Sequence, residues 1–324
     1  MSSLHIALIA GACALLAWGL IAALRRSRLA ERIALDRPNA RSLHDRVVPR
    51  VGGLVVVGIT ATFGLVATTG LGVLAGMAGA LMLLGWLDDR HGLPVGVRLV
   101  VQLISAFAAT MLLLPAASVW LWLALALALT WAMNLYNFMD GADGLAGGMA
   151  VFGFGAYAVA ALTDAPGLAL LSATAAGAAL GFLPHNWAPA RVFMGDAGSV
   201  PLGFLAGALG VAGWSGGIWP AWFPLLVFSP FVADASVTLL RRALRGERVW
   251  QAHREHLYQR MVRSGLGHGP TAALWSVAMA AAAISGVVGL SLQNRAQFGL
   301  LLAWIALYAT VFALTWRLGA RLDR

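Results

Sequence analysis

The stretch LHIALIAGACALLAWGLIAAL, residues 4–24, decides the fold class. It contains no acidic residue, lysine or arginine, and no basic residue precedes it. About 20 apolar residues can cross the hydrocarbon core of a bilayer, whereas the core of a secretory signal peptide is shorter and follows a positively charged segment. We therefore expect an uncleaved transmembrane helix over these residues.

Similar apolar runs recur along the whole chain. They lie at residues 51–69, 71–87, 99–115, 117–135, 147–163, 167–184, 200–215, 218–240, 271–291 and 298–316. The chain is 60% hydrophobic and 11% charged, so most of its side chains must face lipid or one another. The longest polar stretches, 25–50 and 241–270, are too short to fold alone. The sequence predicts an all-α, polytopic membrane protein of about eleven transmembrane helices, with residues 1–324 in one domain.

The arginines indicate how these spans are oriented. All 22 basic residues are Arg, and alternating spans place 21 of them on one side of the membrane and only Arg295 on the other. Cytoplasmic loops carry the excess of positive charge. We therefore expect the N-terminus in the periplasm and the C-terminus in the cytoplasm of a bacterial inner membrane.

Six aspartates lie at or near span ends, all on the arginine-rich side. They are Asp88, Asp89, Asp140, Asp143, Asp196 and Asp234. A carboxylate at the membrane centre costs about 2.5 to 3.5 kcal/mol, so placement at helix ends keeps these groups hydrated while rigid elements hold them. Any one of them could be an ordinary interfacial residue. Six on one face, in polar and Gly-rich contexts, favour a functional site.

The spacing of these acids suggests a metal. Asp88 and Asp89 are adjacent, and Asp140 and Asp143 would share a face if the fifth helix continued through them. Carboxylates so close together need a counter-charge. Oxygen ligands select Mg²⁺, with Mn²⁺ as a substitute, and these ions also bind substrate phosphate.

Two other motifs have both a structural and a functional interpretation. His253 and His256 flank Arg254 in a basic loop, which is either simply solvated or recognises an anion such as pyrophosphate. Zinc is disfavoured there because the loop has no Cys. Phe193 precedes Asp196 in a Phe-Met-Gly-Asp run, either as an interfacial anchor or as a platform for a nucleobase.

In this order the motifs resemble those of the polyprenyl-phosphate N-acetylhexosamine-1-phosphate transferases. This family includes the peptidoglycan phospho-MurNAc-pentapeptide translocase and the GlcNAc-1-phosphate transferases that begin O-antigen and related glycans. The similarity is carried by residues 36–44, 49–53, 87–89, 134–145, 186–199, Asp234 and 253–259.

The resemblance implies a role for each motif. Asp196 would be a Mg²⁺ ligand, and Asp88, Asp89 and Asp140 would stand beside the reacting phosphates, with the identity of any base left open. Phe193 and Asp143 would hold uracil. The full set of expected substrate-binding residues is Asn137, Asp143, Asn186, Arg191, Phe193, His253, Arg254 and His256.

The implied reaction is transfer of an N-acetylhexosamine 1-phosphate from a UDP-sugar to undecaprenyl or another polyprenyl phosphate, at the cytoplasmic face, with release of UMP. The chain lacks the His-rich run of the peptidoglycan enzyme and has Arg191 where that branch commonly carries Lys. Both differences favour the O-antigen branch. The partners expected are the two substrates and membrane lipid, without nucleic acid, and the resemblance is compatible with a homodimer.

Two rival functions share part of this pattern. A transporter could use the carboxylates as an ion relay, but transporter sites lie near the bilayer midplane at broken helices, and these acids lie at span ends. A CDP-alcohol phosphotransferase has a signature similar to Asp140-Gly141-x-Asp143. The Ala-Arg pair and the later spaced aspartates of that signature are missing here.

Overall fold

The computed structural model describes residues 2–38, 43–44, 46–67, 70–249, 251 and 253–322. These residues form fourteen α-helices, one π-helical turn over Val262–Leu266 and one two-stranded sheet. The helices are α1 (Ser3–Arg26), α2 (Leu29–Ile33), α3 (Gly52–Ala67), α4 (Gly72–His91), α5 (Val95–Leu113), α6 (Val119–Phe138), α7 (Leu145–Ala161), α8 (Pro166–Asn186), α9 (Asp196–Ser215), α10 (Trp222–Val227), α11 (Ser229–Leu244), α12 (Leu257–Met261), α13 (His268–Gly289) and α14 (Asn294–Leu322). The antiparallel strands are β1 (Leu35–Asp36) and β2 (Val48–Pro49).

Within the described residues, eight helices are long and apolar enough to cross a membrane. They are α1, α4, α5, α6, α8, α9, α13 and α14, and α3 and α7 are shorter apolar helices. Large apolar side chains on their outer faces, such as Leu8, Ile104 and Ile305, are exposed, as expected of surfaces that face lipid. The prediction of an all-α polytopic membrane protein is therefore confirmed, while the number of spans and their orientation stay predictions.

The ninth predicted span, residues 218–240, is not one continuous helix. Its residues fall into α10 and α11, which meet at Phe228. Pro230 lies in the first turn of α11, and a proline has no N–H with which to continue the hydrogen bonding of a preceding helix. Apolar composition predicted the span, but the proline divides it.

Helices α8 and α9 form the centre of the bundle. Their most apolar windows are 72% and 83% buried, compared with 6% for α14. The first packs against α1 and α7, and the second against α4 and α6. Gly177 and Gly181 let α8 approach the backbone of α1, because a Cβ at these positions would lie 2.2 and 2.0 Å from the carbonyl oxygens of Ala10 and Ala14. This order of contacts makes α1 and α8 parallel.

The connection between α1 and α3 lies against the start of α9. Phe193 donates its N–H to the Pro49 carbonyl over 2.9 Å, and its own carbonyl accepts from Gly52 over 3.0 Å. Gly53 likewise donates to Met194 over 2.9 Å. These bonds fix the loop before α9 against β2 and α3, and they bring the polar ends of several helices together.

Candidate active site

Four of the six predicted aspartates converge where α4 ends and α9 begins. Asp88 and Asp89 lie in the last turns of α4, Asp196 is the first residue of α9, and Asp140 lies between α6 and α7. Gly85 allows the two helix ends to meet, since a Cβ there would lie 2.3 Å from the Asp196 carbonyl oxygen. We call these four side chains the carboxylate cluster.

Arg98, from the first turn of α5, links two members of the carboxylate cluster. Its guanidinium lies 2.5 Å from Asp88 Oδ2 and 3.3 Å from Asp196 Oδ2. The other Asp88 oxygen accepts from the Leu93 N–H over 2.7 Å. Asp196 Oδ1 accepts from the Asn137 side chain over 2.8 Å. Asn137 therefore orients Asp196, and its predicted contact with substrate stays a prediction.

Arg50 supports Asp89 from the opposite side. Its guanidinium lies 3.0 Å from Asp89 Oδ1 and 2.8 Å from Asp36 Oδ1, and Asp36 also contacts His44 at 3.1 Å. The second Asp89 oxygen accepts from the Ala197 N–H over 3.1 Å. A helix N-terminus has unpaired N–H groups and a partial positive charge. Asp89 accepts one of these N–H groups in α9 and places a negative charge beside the helix end.

Asp140 has no such support. Its carboxylate makes no hydrogen bond or ion pair with the described residues. Burial raises the pKa of Asp140 well above its usual range, and the charges of Asp196 and Asp89 raise it further. Asp140 is therefore the member of the carboxylate cluster whose oxygens remain available to a ligand.

Asp140 and Asp143 do not share a helical face, because α6 ends at Phe138. Gly144 then adopts a φ of 77° and precedes α7 as its N-cap, so the intervening residues form a turn. Asp143 points away from the carboxylate cluster and accepts from the Ala190 N–H over 2.9 Å, with His268 Nδ1 at 3.3 Å. The two aspartates consequently need no shared counter-ion.

Asn186 performs a similar tethering role. Its Oδ1 accepts from the Gly144 N–H over 2.9 Å, and its Nδ2 donates to the Val192 carbonyl over 3.0 Å. Asn186 and Asp143 are both buried and join the turn before α7 to the loop before α9. Phe193, in that loop, meets the His44 ring edge-on with 4.8 Å between centroids. Binding of a nucleotide by these three residues stays a prediction.

The His253 and His256 loop reaches the same region through α12. Asp234 is fully buried and accepts from the N–H groups of Leu257 at 2.8 Å and Tyr258 at 3.1 Å. The Tyr258 hydroxyl donates to the Phe138 carbonyl over 2.9 Å, two residues before Asp140. Asp234 thus caps α12 and does not belong to the carboxylate cluster.

The two histidines lie side by side, with 4.7 Å between ring centroids. Burial lowers the pKa of His253 to about 4, and neighbouring His256 contributes to the shift. A neutral His253 can donate an N–H to an anion but supplies no positive charge at neutral pH. The Arg254 guanidinium forms no ion pair with the described residues, so it is a cationic group that this loop can offer to a ligand.

Arg191 lies elsewhere. Its side chain is exposed and lines a cavity with Arg25 and Arg26, and it makes no contact with the carboxylate cluster. The expectation that Arg191 joins the other substrate-binding residues therefore lacks support from its position.

Comparisons with known proteins find relatives over most of the chain. The profile of glycosyl transferase family 4 matches residues 71–213, a segment that contains all four members of the carboxylate cluster. A probable undecaprenyl-phosphate N-acetylglucosaminyl 1-phosphate transferase of Bacillus subtilis is 33% identical over 258 residues, covering 72% of this chain and 71% of the relative. The chain belongs to glycosyl transferase family 4. This membership confirms the resemblance carried by the motifs.

Two further relatives of this family 4 protein extend the comparison. A decaprenyl-phosphate N-acetylglucosaminephosphotransferase of Mycolicibacterium smegmatis is 29% identical over 72% of this chain and 70% of its own length. An undecaprenyl-phosphate alpha-N-acetylglucosaminyl 1-phosphate transferase of Yersinia pestis is 27% identical over 90% of this chain and 87% of its own length. The similarity thus extends well beyond the segment that the family profile matches.

The chemistry of the carboxylate cluster fits the expected Mg²⁺. Among the described residues, no three His, Cys, Asp or Glu side chains are arranged as a metal cage. Mg²⁺ needs none, because it commonly keeps water and binds one or two carboxylates together with substrate phosphates. In the part of the chain that the structure describes, the four side chains of the carboxylate cluster have two arginines, Arg50 and Arg98, as ion-pair partners, so the acidic groups outnumber the cations that pair with them.

Sequence reasoning missed both arginines that support the carboxylate cluster in this family 4 protein. Arg98 lies ten residues after Asp88, at the start of a span on the same side of the membrane. That position was a usable signal, because an arginine near aspartates at neighbouring helix ends is a natural counter-charge. Arg50 lies in the stretch 49–53 that carries part of the family resemblance, and that motif was its signal.

Proposed function

We propose that the protein transfers an N-acetylhexosamine 1-phosphate from a UDP-sugar to polyprenyl phosphate, with UMP as the second product. Family membership supports the reaction class, and the names of the three relatives all refer to N-acetylglucosamine and to undecaprenyl or decaprenyl phosphate. UDP-GlcNAc is therefore the first donor to test. The observation that carries the proposal is the carboxylate cluster, which lies inside the family segment together with Arg98 and is also paired with Arg50.

In this reaction an oxygen of the polyprenyl phosphate attacks the sugar-bearing phosphorus of the donor. The bond from that phosphorus to the bridging oxygen breaks, and UMP leaves with that oxygen. Both reactants are anions, so Arg98 and Arg50 would offset their charge while aligning the attacking and leaving oxygens. Asp140 would accept the acceptor's remaining proton, because it is the member of the carboxylate cluster without a partner.

Asp196 and Asp88 are the residues that would hold Mg²⁺, or Mn²⁺ in its place. When bound, the cation would neutralise charge that develops on the diphosphate. Asn137 fixes the Asp196 carboxylate, and this contact would keep one oxygen in a constant position during turnover.

The proposal places the reaction on the cytoplasmic face of a bacterial inner membrane, in an eleven-span protein that feeds O-antigen or a related envelope glycan. The division of arginines, 21 to one, supports this orientation. The parallel packing of α1 and α8, the predicted first and seventh spans, agrees with that alternation. A homodimer stays a prediction.

The decisive experiment identifies the released nucleotide. Purified protein in lipid nanodiscs receives UDP-GlcNAc and undecaprenyl phosphate, and chromatography measures UMP and UDP while mass spectrometry identifies the lipid. We expect UMP in amounts equal to a lipid pyrophosphate sugar. Stoichiometric UDP would mean ordinary glycosyl transfer and would refute the proposal. Other UDP-N-acetylhexosamines, tested in parallel, establish the sugar.

A further inference from the structure

A cavity of about 720 Å³ lies between the ends of α1 and α8. Arg25, Arg26 and Arg191 line it together with His185, Glu31 and Trp18. None of the carboxylate cluster contributes to its wall. The cavity is therefore distinct from the place where the sugar nucleotide is proposed to react.

The cavity has an excess of positive charge. Arg25, Arg26 and Arg191 form no ion pair with a carboxylate of the described residues. The guanidinium of Arg25 lies 3.4 Å from His185 Nδ1. Glu31 is the one acidic side chain among the lining residues. Three planar guanidinium groups around one space suit a phosphate, which each can bind through two hydrogen bonds.

The position of the cavity indicates what carries that phosphate. Arg25 and Arg26 form the last turn of the apolar helix α1, and Trp18, two turns earlier, is half exposed. Arginine and tryptophan at the end of a transmembrane helix lie at the level of lipid headgroups. Beyond the contact of Ala14 with Gly181, both parallel helices continue into the cavity wall, so the cavity lies at the end of α1 that carries Arg25 and Arg26.

We propose that this cavity binds the headgroup phosphate of an anionic membrane phospholipid, whose tail lies along α1 past Trp18. Such a site recognises a phosphate group that is attached to a lipid. Both an anionic phospholipid and polyprenyl phosphate carry such a group. Bulk phospholipid is favoured because the acceptor must reach the carboxylate cluster, from which this cavity is separate. The proposal goes beyond the transfer reaction and does not depend on it.

Native mass spectrometry of the full-length protein in neutral detergent tests the site. Phosphatidylglycerol and phosphatidylcholine with identical tails are titrated separately, and retained lipid is counted. We expect one phosphatidylglycerol to bind more tightly than phosphatidylcholine. An arginine near an anionic surface contributes about fivefold to affinity, so Arg26→Gln with Arg191→Gln should weaken this binding roughly 30-fold.

Three controls distinguish the sources of the phosphate. Arg32→Gln changes an exposed arginine of α2 outside the cavity and should leave binding unchanged. Arg26→Lys with Arg191→Lys keeps the charge and should retain most of the affinity, which separates charge loss from misfolding. Equal binding of the two lipids, or full binding by the Gln double variant, would overturn the proposal. Displacement by equimolar polyprenyl phosphate or by inorganic phosphate would also overturn it, because the ligand would then be the acceptor or a soluble anion.

Discussion

Replacing Asp196 with Asn tests the proposed metal site most directly. The side chain of Asp196 makes no capping hydrogen bond to the backbone of α9. The N–H of Ala197, at the start of α9, donates to Asp89 instead. Its contacts are Asn137 on one oxygen and Arg98 on the other. The substitution therefore removes a charge from the carboxylate cluster without removing the support of the helix.

The expected loss of stability is small. Asn keeps an oxygen that can accept from Asn137, and Arg98 keeps its shorter contact to Asp88 at 2.5 Å. Loss of a negative charge at a helix N-terminus costs about 0.3 to 1 kcal/mol, and loss of a partly exposed ion pair costs about 0.2 to 1 kcal/mol. We expect a decrease of about 1 kcal/mol in the free energy of unfolding.

The expected loss of activity is much larger. Removing one preorganised electrostatic contact from an active site lowers turnover roughly 100-fold or more. UMP release is measured across a magnesium titration, together with thermal unfolding of the same preparation. If the defect lies in metal affinity, high magnesium should restore part of the rate. Asp164→Asn, at an exposed position in the loop between α7 and α8, is the matched control.

The reasoning would be wrong if folded Asp196→Asn protein turned over within about threefold of the parent at every magnesium concentration. In that case the cation would have to be assigned to Asp88 and Asp89. A parallel fall in stability and activity would instead indicate a structural role.

Three further predictions address the surroundings of the carboxylate cluster. Arg50→Gln removes the partly buried ion pair to Asp89 and should lower kcat at least tenfold. Arg50→Lys keeps the charge and should recover part of the rate. An unchanged kcat in the Gln variant would contradict this. Gly85→Ala places a Cβ against backbone atoms and should reduce UMP release at least tenfold, whereas Gly96→Ala, where the space is open, should not; similar effects of the two would refute the close approach of α4 and α9. The pKa of His253 is lowered from its ordinary value of 6.5 to about 4 in the folded protein. Between these two pH values the unfolded chain binds a proton on His253 that the folded chain does not, so the free energy of unfolding falls as pH falls through this window. The drop in melting temperature from pH 7 to pH 5 should be smaller in His253→Gln, and an unchanged drop would exclude His253 as its source.

The sequence predicted the helices well because apolar composition decides them. Within the described residues each apolar run is largely helical, and only residues 218–240 are divided, at Phe228 just before Pro230. The convergence of Asp88, Asp89 and Asp196 followed from their common place at span ends. The predicted orientation rests on the division of arginines, and the parallel contacts of α1 with α8 agree with the alternation of spans.

The sequence did not predict which acids would be used as backbone caps. Asp143 and Asp234 lie at span ends like the others, but each accepts N–H groups from a segment distant along the chain. Which N–H group an aspartate contacts depends on how the loops pack against one another. The spacing of residues along the sequence does not indicate that packing. The position of Arg191 depends on loop folding in the same way: its side chain lines the cavity with Arg25 and Arg26, and its contact with substrate stays a prediction.

The capping of α12 by Asp234 has a consequence for how loops of this family can diverge. Helix α12 is held by two backbone N–H groups that donate to Asp234 and by the Tyr258 hydroxyl, which donates to the Phe138 carbonyl. None of these groups belongs to the segment between Glu247 and His253 that precedes the helix. Insertions or deletions between Glu247 and His253 would leave those anchors intact. We therefore expect the length of this segment to differ widely among orthologues, while the His253 and His256 rings keep their distance from the end of α6. The segment is accordingly a suitable site for inserting an epitope or a reporter.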